Sequence, residues 1–556
     1  MTPAVLPRKP AKRERREQHP ARPAIPHRKP RTQRLNIMRI VLCDTRKHNV
    51  SKDFAGGYGV GVYPGGPTLR DKLIRRFYTR DRRPVAMTYA YLAGAFGQLG
   101  HRVRYAVDRL PSGADLYVFC PSLISLEWEK QSIARLLRRD PMARVLVVGP
   151  IASVMPEAFE QLGVTVVRGE PEQLLWRLDE ILQTSEPVVQ LGMIDDLDRL
   201  PLPDWSPFRP RKFRIGYDFS RFPTGLIQAS RGCPLKCNYC PYIVQDNAVR
   251  FREPEAVVDE IRWGMNRWGF RSFKFRDPLF GANRKQLYGL VDLLGRLPRP
   301  VQFSIETRVD AMRPEILRML RRVGLTSITV GIETPNDETL SRYRRAPIEA
   351  DRQRKFVAEC RQLGIRTVAG FLIGFPEDTD ASIRRVLDYA QQVNPTFANF
   401  NVVTPYPGTQ FFKQMRDRID DFDFSHYTVY TPVLKYDHLT RERVGWWVRK
   451  CFRRYYSRWE YLRENGPLLW PPLRLLGWGQ RRDRTESSQS GNTDKTARSE
   501  QTPAPSDAAQ SGHTHPPVPG PKKPTLPLEV LQEKGLRHDG PHRRPTIDWP
   551  TDVRQR

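Results

Sequence analysis

Short apolar runs separated by amphipathic helical stretches recur in two series along this chain, and that alternation admits few folds other than parallel α/β layers. In the first series "MRIVLCD" (38–44), "RVRYAVD" (102–108), "DLYVFC" (115–120), "ARVLVVG" (143–149) and "VTVV" (164–167) read as strands. Helices are expected from near Pro84 to Gly100, over Glu127–Arg138, and ending near Leu182. The pattern predicts a doubly wound, Rossmann-like sheet covered on both faces. A Gly-rich, basic insert occupies residues 55–83. Ligands of such sheets sit beyond the carboxyl ends of the strands, which makes Ser122, Gly149, Gly169 and Glu170 candidate binding residues in the loops there.

The second series runs from about Gly225 to Phe412. Its strands are expected at "GLIQASRG", "SFKFRD", "VQFSIET", "SITVGIET", "TVAGFLIGF" and "FANFNVV". Helices are expected around Pro254–Trp268, Arg284–Leu297, Arg313–Val323, Ala350–Leu363 and Asp380–Val393. Six strand–helix repeats are too few for a closed eight-stranded barrel and suit a partial (β/α)6 barrel open at the side. Between the series lies "LDRLPLPDW", whose prolines forbid regular helix or central strand. The expected layout is a basic tail at 1–37, the first α/β domain at 38–190 and a linker at 191–224. The barrel follows at 225–415, a helical region at 416–479 and a polar tail at 480–556.

Both tails read as disordered: residues 1–37 hold eleven Lys/Arg against two Glu, and 480–556 is rich in Pro, Ser, Gln and Thr. The formal charge of +31 is scattered over several segments, with no RNP, zinc-finger or helix-turn-helix signature. It reads as solubility plus loose attraction to anionic surfaces, and nucleic acid is not the expected partner. Seven cysteines, three of them within eight positions, are no paired disulfide framework, so a reducing cytoplasm is expected. No stretch approaches the roughly 20 apolar residues that span a bilayer, and the first residues lack the apolar core of a signal peptide.

The cysteines carry the chemistry. "RGCPLKCNYCPY" places Cys233, Cys237 and Cys240 with three and two residues between them, directly after a strand and therefore at the functional end of a barrel. Three thiolates on one loop can hold three irons of a cubane and leave the fourth open to a chelating ligand. A zinc knuckle would need a fourth ligand nearby; there is no histidine between His101 and His426, and the next cysteine is Cys360.

With this triplet and its aromatic-containing "CNYC", the chain resembles the radical S-adenosylmethionine superfamily over roughly residues 220–415, and its N-terminal α/β series resembles the cobalamin-binding domain of one branch. The resemblance implies a [4Fe-4S] cluster on Cys233, Cys237 and Cys240, with S-adenosylmethionine chelating the open iron. "FRDPLF" departs from the family's usual Gly-Gly-Glu, and Asp277 would lie near the amino group of the methionyl moiety. In "FSIETRVD", Glu306 and Arg308 share one strand face, Glu306 for ribose hydroxyls and Arg308 for the carboxylate, with a surface Arg–Glu pair as the alternative. Tyr239, Glu333 in "TVGIETPND", and Gly370 and Gly374 in "GFLIGFPED" complete the implied set, the glycines letting a flat base approach the backbone. Cobalamin is implied without a lower axial histidine, because no Asp-x-His-x-x-Gly is present and Asp44 with His48 has the wrong spacing.

Residues 441–479 hold five tryptophans and nine Lys/Arg. Helical spacing places Val448, Phe452, Tyr455 and Trp459 on one stripe with Arg449, Arg453 and Arg463 elsewhere. The stripe fits a helix closing the barrel's open side; the basic aromatic content also fits contact with a membrane surface. The expected function is cobalamin-dependent radical methylation of an unactivated carbon in a small-molecule or lipid-like substrate, with an electron donor such as flavodoxin or ferredoxin. Radical cyclisation, ring contraction or oxidation without methyl transfer is the second reading, and a non-catalytic nucleic-acid-binding protein the third.

Overall fold

The computed structural model describes residues 37–45, 85–215, 221–243 and 248–469, with Lys52, Tyr58 and a few single residues of the insert. The tails expected at 1–37 and 480–556, apart from Ile37, and most of the insert lie outside these residues. The described residues from Met38 onward belong to one unit.

Six strands form the first sheet: β1 (Arg39–Asp44), β2 (Arg102–Val107), β3 (Leu116–Phe119), β4 (Val145–Val147), β5 (Thr165–Gly169) and β6 (Val188–Gly192). They are all parallel in the order β2-β1-β3-β4-β5-β6, the doubly wound arrangement expected. β3, buried at every residue, is a continuous apolar run because helices cover both its faces. β6 was missed by sequence reading. It is an edge strand with four of its five residues partly or fully exposed, and its short apolar run, "VVQLG", lies directly before the Pro-rich linker, with which it was grouped.

Among the helices of this sheet, α1 (Met87–Gln98), α2 (Leu126–Arg139) and α3 (Leu174–Gln183), the first, rich in Ala, Gly and aromatics, is buried over most of its length. The Pro-rich linker lies against it: Asp204 donates its backbone N–H to Ala90 O at 2.9 Å, and a Cβ on Gly94 would sit 2.0 Å from Leu202 O. Beyond it Trp205, 1% exposed, meets Phe208 and Phe213 of the linker and Phe270 edge-on. The linker is thus part of the core. Gly94→Ala is expected to lower stability by about 1–3 kcal/mol, since backbone cannot yield to the added methyl as a side chain would. Chemical denaturation measures this, and an unchanged midpoint would mean the linker shifts without cost.

The second sheet holds β7 (Thr224–Ile227), β10 (Ser272–Phe275), β11 (Gln302–Thr307), β12 (Leu325–Glu333), β13 (Arg366–Ile373) and β14 (Phe397–Val402). A two-stranded ribbon of β8 (Ser230–Arg231) and β9 (Arg250–Phe251) stands apart from it. The sheet is parallel and in sequence order from β7 to β14. β7 and β14 remain its two edges, which makes it the open partial barrel expected. Its crossovers include α4 (Pro254–Trp268), α5 (Arg284–Gly295), α6 (Pro314–Arg322), α7 (Ala350–Gln362) and α8 (Asp380–Val393).

Helix α9 (Arg441–Tyr456) packs on β14 and α8, burying Val444, Trp447, Val448, Cys451, Phe452 and Tyr455. The expected stripe holds as far as Tyr455. Trp459 departs from it and is 57% exposed, because α9 ends at Tyr456 and a new helix, α10 (Trp459–Leu469), begins beyond Ser457 and loses the phase.

Candidate active site

Cys233 and Cys237 are buried and Cys240 half-buried on the loop that follows β8, and all three line one cavity of about 400 Å³ inside the partial barrel. Burial pushes the Cys233 thiol up and the Cys240 thiol up to about 12, as an apolar setting does to an unligated thiol. Among the described residues no three His, Cys, Asp or Glu side chains gather closely enough to share a single ion.

The strand alternation supplies the cavity walls: Glu306 and Arg308 at the end of β11, Gly331 and Glu333 on β12, Gly370 on β13, Asn399 and Asn401 on β14. Glu306 is paired with Arg276 and lies 3.5 Å from the buried Lys274 ammonium. Arg308 forks onto Asp310 at 2.9 and 2.8 Å and donates to Ala346 O at 3.2 Å. Its Nη1 is buried without a hydrogen-bond partner, an orphan donor that a carboxylate would satisfy. The alternative of an Arg308–Glu306 surface pair does not occur.

Glu333 is held by Arg345 at 3.2 Å, and the same guanidinium donates to Gly331 O at 2.8 Å and Cys237 Sγ at 3.8 Å. Burial raises the Glu333 carboxyl against the opposing pull of Arg345 and Arg308. Glu333 has φ +71° where the β12–β13 register slips, and a Cβ on Gly331 would come within 2.3 Å of its Oε1. Gly331 therefore lets Glu333 fold back over its own strand. Tyr239 lines the cavity with its buried hydroxyl unpartnered.

Two of the expected residues lie elsewhere. Gly374, at φ +76°, turns the chain and donates to Asp378 at 2.8 Å, and a Cβ there would press on Val402 and Val444; of the glycine pair Gly370 alone faces the cavity. Asp277, 1% exposed, accepts from the Ala229 N–H at 3.1 Å and the Ser230 hydroxyl at 2.6 Å. It clamps the turn between β7 and β8 that leads into the cysteine loop. Burial raises its carboxyl to about 6, and these hydrogen bonds moderate the rise.

Arg345 and Arg276 escaped the sequence reading, since single arginines in a chain with 92 Lys and Arg carry no signal. Asn399 and Asn401 had one: two amides at alternate positions of the apolar "FANFNVV", pointing to one face. Their Oδ1 atoms are buried and unpartnered.

A second cavity, of about 180 Å³, lies between the carboxyl ends of the first sheet's strands and the barrel, with walls that include Cys120, Pro150, Met193, Gln228 and Arg231. Glu170 lines it and is paired with Arg231 at 3.0 Å and Arg250 at 2.8 Å, while Arg231 also holds Glu172 at 2.8 Å. Burial alone would raise the Glu170 carboxyl, but Arg231 and Arg250 outweigh it and hold it below its ordinary value. Ser122, Gly149 and Gly169 do not line the cavity, though Pro150 and Glu170, next to the two glycines, do. Ser122 bonds Ser125 at 2.6 Å, and Gly149 and Gly169 have φ of +91° and +105°, where a Cβ would strike Cys120 Sγ and Gly192 O. The two cavities share Pro241, Tyr242 and Pro278 as a common wall.

Residues 227–390 match the sequence family described as the Radical SAM superfamily. The chain is 28% identical over 317 residues to an anaerobic magnesium-protoporphyrin IX monomethyl ester cyclase of Cereibacter sphaeroides, covering 53% of this chain and 51% of that protein. It is 27% identical over 317 residues to a bacteriochlorophyllide d C-12(1)-methyltransferase of Chlorobaculum tepidum, covering 55% of this chain and 68% of that protein. The chain spans about half the length of the first curated relatives it matches. In fold it is similar to the cobalamin-dependent S-adenosylmethionine radical enzyme OxsB, solved with aqua-cobalamin and S-adenosylmethionine, at a TM-score of 0.54 and 11% identity over 79% of this chain and 71% of that one.

Proposed function

We propose that this chain, whose residues 227–390 match the Radical SAM superfamily, is a two-cofactor enzyme that methylates an unactivated carbon of a small, largely apolar substrate. The observation that carries the reading is the shared wall: a substrate at Tyr242 would border both the cysteine cavity and the strand-end cavity. A [4Fe-4S] cluster on Cys233, Cys237 and Cys240 would supply the electron that cleaves S-adenosylmethionine to a 5′-deoxyadenosyl radical, and a corrin at the second cavity would supply the methyl group.

The chain's own groups bind and orient. Arg308 offers its free Nη1 to the carboxylate of S-adenosylmethionine while Asp310 fixes the rest of the guanidinium. Glu306, anchored by Arg276 and Lys274, presents a carboxylate to ribose hydroxyls. Arg345 places positive charge beside the cysteine loop and holds Glu333 in place. Gly370 leaves its stretch of wall without a side chain. The described part of the second cavity, about 180 Å³, is below the size of a drug-sized ligand site, so its walls, the ion-paired Glu170 and Arg231 among them, would hold one edge of a corrin. A small electron carrier such as flavodoxin or ferredoxin would reduce the cluster.

Radical ring closure without methyl transfer is the second reading, favoured by the similarity to a cyclase. Anaerobic turnover with methyl-labelled S-adenosylmethionine separates the two: methyl transfer yields labelled product with both 5′-deoxyadenosine and S-adenosylhomocysteine, whereas ring closure yields 5′-deoxyadenosine and unlabelled product. Arg308→Ala is expected to weaken S-adenosylmethionine binding by about 10- to 100-fold, the worth of a hydrogen bond to a charged group. Equilibrium binding to the reconstituted protein measures it, and unchanged affinity would leave Arg308 as the partner of Asp310 alone.

A further inference from the structure

The inner face of α9 is consumed by core packing, and its outer face has a different composition. α9 carries six Lys/Arg and one acid, Glu442. Arg443 is paired with Asp380 at 2.8 Å, while Arg449, Lys450, Arg453 and Arg454 make no ion pair among the described residues, nor does Arg384 on the neighbouring α8. Trp446 stands among them: the Arg443 guanidinium lies 4.2 Å from its ring centroid and the Lys450 ammonium 4.3 Å. Lys450 also lies 4.5 Å from the ring of Trp447. Burial, then the nearby charges of Arg384, Arg454 and Arg443, lower the Lys450 pKa, so these cations form one crowded patch despite their mutual repulsion. On α10, Trp459 and Leu462 stand 57% and 43% exposed.

We propose that the outer face of α9, with Arg384 of α8, docks on an anionic lipid bilayer. The cations meet lipid phosphates while the indole of Trp446 sits at headgroup depth, where an amphipathic ring is favoured. Phosphate alone would call for the cations only; the half-buried Trp446 among them, with exposed Trp459 and Leu462 on the following helix, fits a surface that is charged outside and apolar beneath. Among the described residues no helix is long and apolar enough to cross a membrane, so the contact is peripheral. The reverse side of the same wall faces the active-site cavity: on β14, Phe400 packs against Phe452 of α9 while Asn399 and Asn401 line the cavity.

The test uses the full chain with vesicles of phosphatidylglycerol and phosphatidylcholine, or of phosphatidylcholine alone, read by co-sedimentation at about 0.15 M salt. Binding is expected to the anionic vesicles only, weakened about tenfold or more by Arg449→Glu with Lys450→Glu and also by Trp446→Ala, each with an unchanged circular dichroism spectrum. Anionic binding that both variants retain would assign it to another segment, such as the basic residues 1–37, and overturn the proposal. So would an absence of binding, or full displacement from the vesicles by short duplex DNA, which would identify a phosphate surface with no lipid preference.

Discussion

Cys237→Ala is expected to leave the chain folded and unable to retain a four-iron cluster or to cleave S-adenosylmethionine. Cys237 is buried on a loop beside Cys233 and lies within 3.8 Å of the Arg345 guanidinium, a setting in which a thiolate ligand is charge-compensated once metal replaces its proton. Deleting one sulfur from a buried site costs about 1 kcal/mol of packing, too little to unfold a domain. With a cluster on the three cysteines, as proposed, the deletion would remove its hold on an iron; among the described residues the cysteines outside the triplet are Cys43, Cys120, Cys360 and Cys451, all buried, and none of them lines the cavity. Iron and sulfide per chain, together with 5′-deoxyadenosine formed under reductant, read the outcome. Full cluster absorbance with undiminished cleavage in the variant would remove the triplet from the chemistry.

The second large effect is on stability. Arg231→Met removes the cation that holds Glu170 and Glu172 between the strand-end loops of the first sheet and the β8–β9 ribbon. Glu170 keeps Arg250, but Glu172, 2% exposed, is left with no cation among the described residues. Breaking a buried pair from one side costs about 3–5 kcal/mol, because the surviving charge remains out of water. The pH dependence has a defined sign. The Glu170 carboxyl is held below its ordinary 4.5, so the stability it contributes is full above that value and is lost as the pH falls through the folded-state value. The gap between wild type and variant should therefore be widest near neutrality and narrow in acid. Denaturant unfolding at several pH values measures it, and a gap that is absent at neutral pH or widens in acid would contradict the network's role.

What could be read from sequence follows from which physical constraints act locally. α4 and α8 coincide with expectation because their ends are written into neighbouring residues: Pro254 in the first turn of α4 and Gly269 at φ +70° beyond it, Thr379 and Ser382 capping α8 reciprocally. β6 was missed although Val188, Val189 and Leu191 are apolar, because so short a run beside the Pro-rich linker does not tell an edge strand from irregular chain. The three cysteines could be grouped from their spacing, and the structure brings all three to one cavity. Glu306, Arg308, Glu333 and Gly370 could be placed on inward faces by the two-residue alternation of their strands. Arg345 could not, because it reaches the site from the irregular segment after helix Asp337–Arg342, and only tertiary packing brings it to Cys237. Asp277 shows the reverse case: its position in the strand order is the expected one, but its carboxylate is occupied by the backbone of Ala229 and the hydroxyl of Ser230.

The proposed function sets a cluster and a corrin on one chain, on the two sides of the wall formed by Pro241, Tyr242 and Pro278. Its most direct test is the iron and corrin content of the anaerobically purified chain after reconstitution with iron, sulfide and hydroxocobalamin and removal of unbound cofactor. The two-cofactor account predicts a four-iron cluster and near-stoichiometric corrin on the same chain; a full cluster without retained corrin would contradict it and leave a radical enzyme with no methyl carrier.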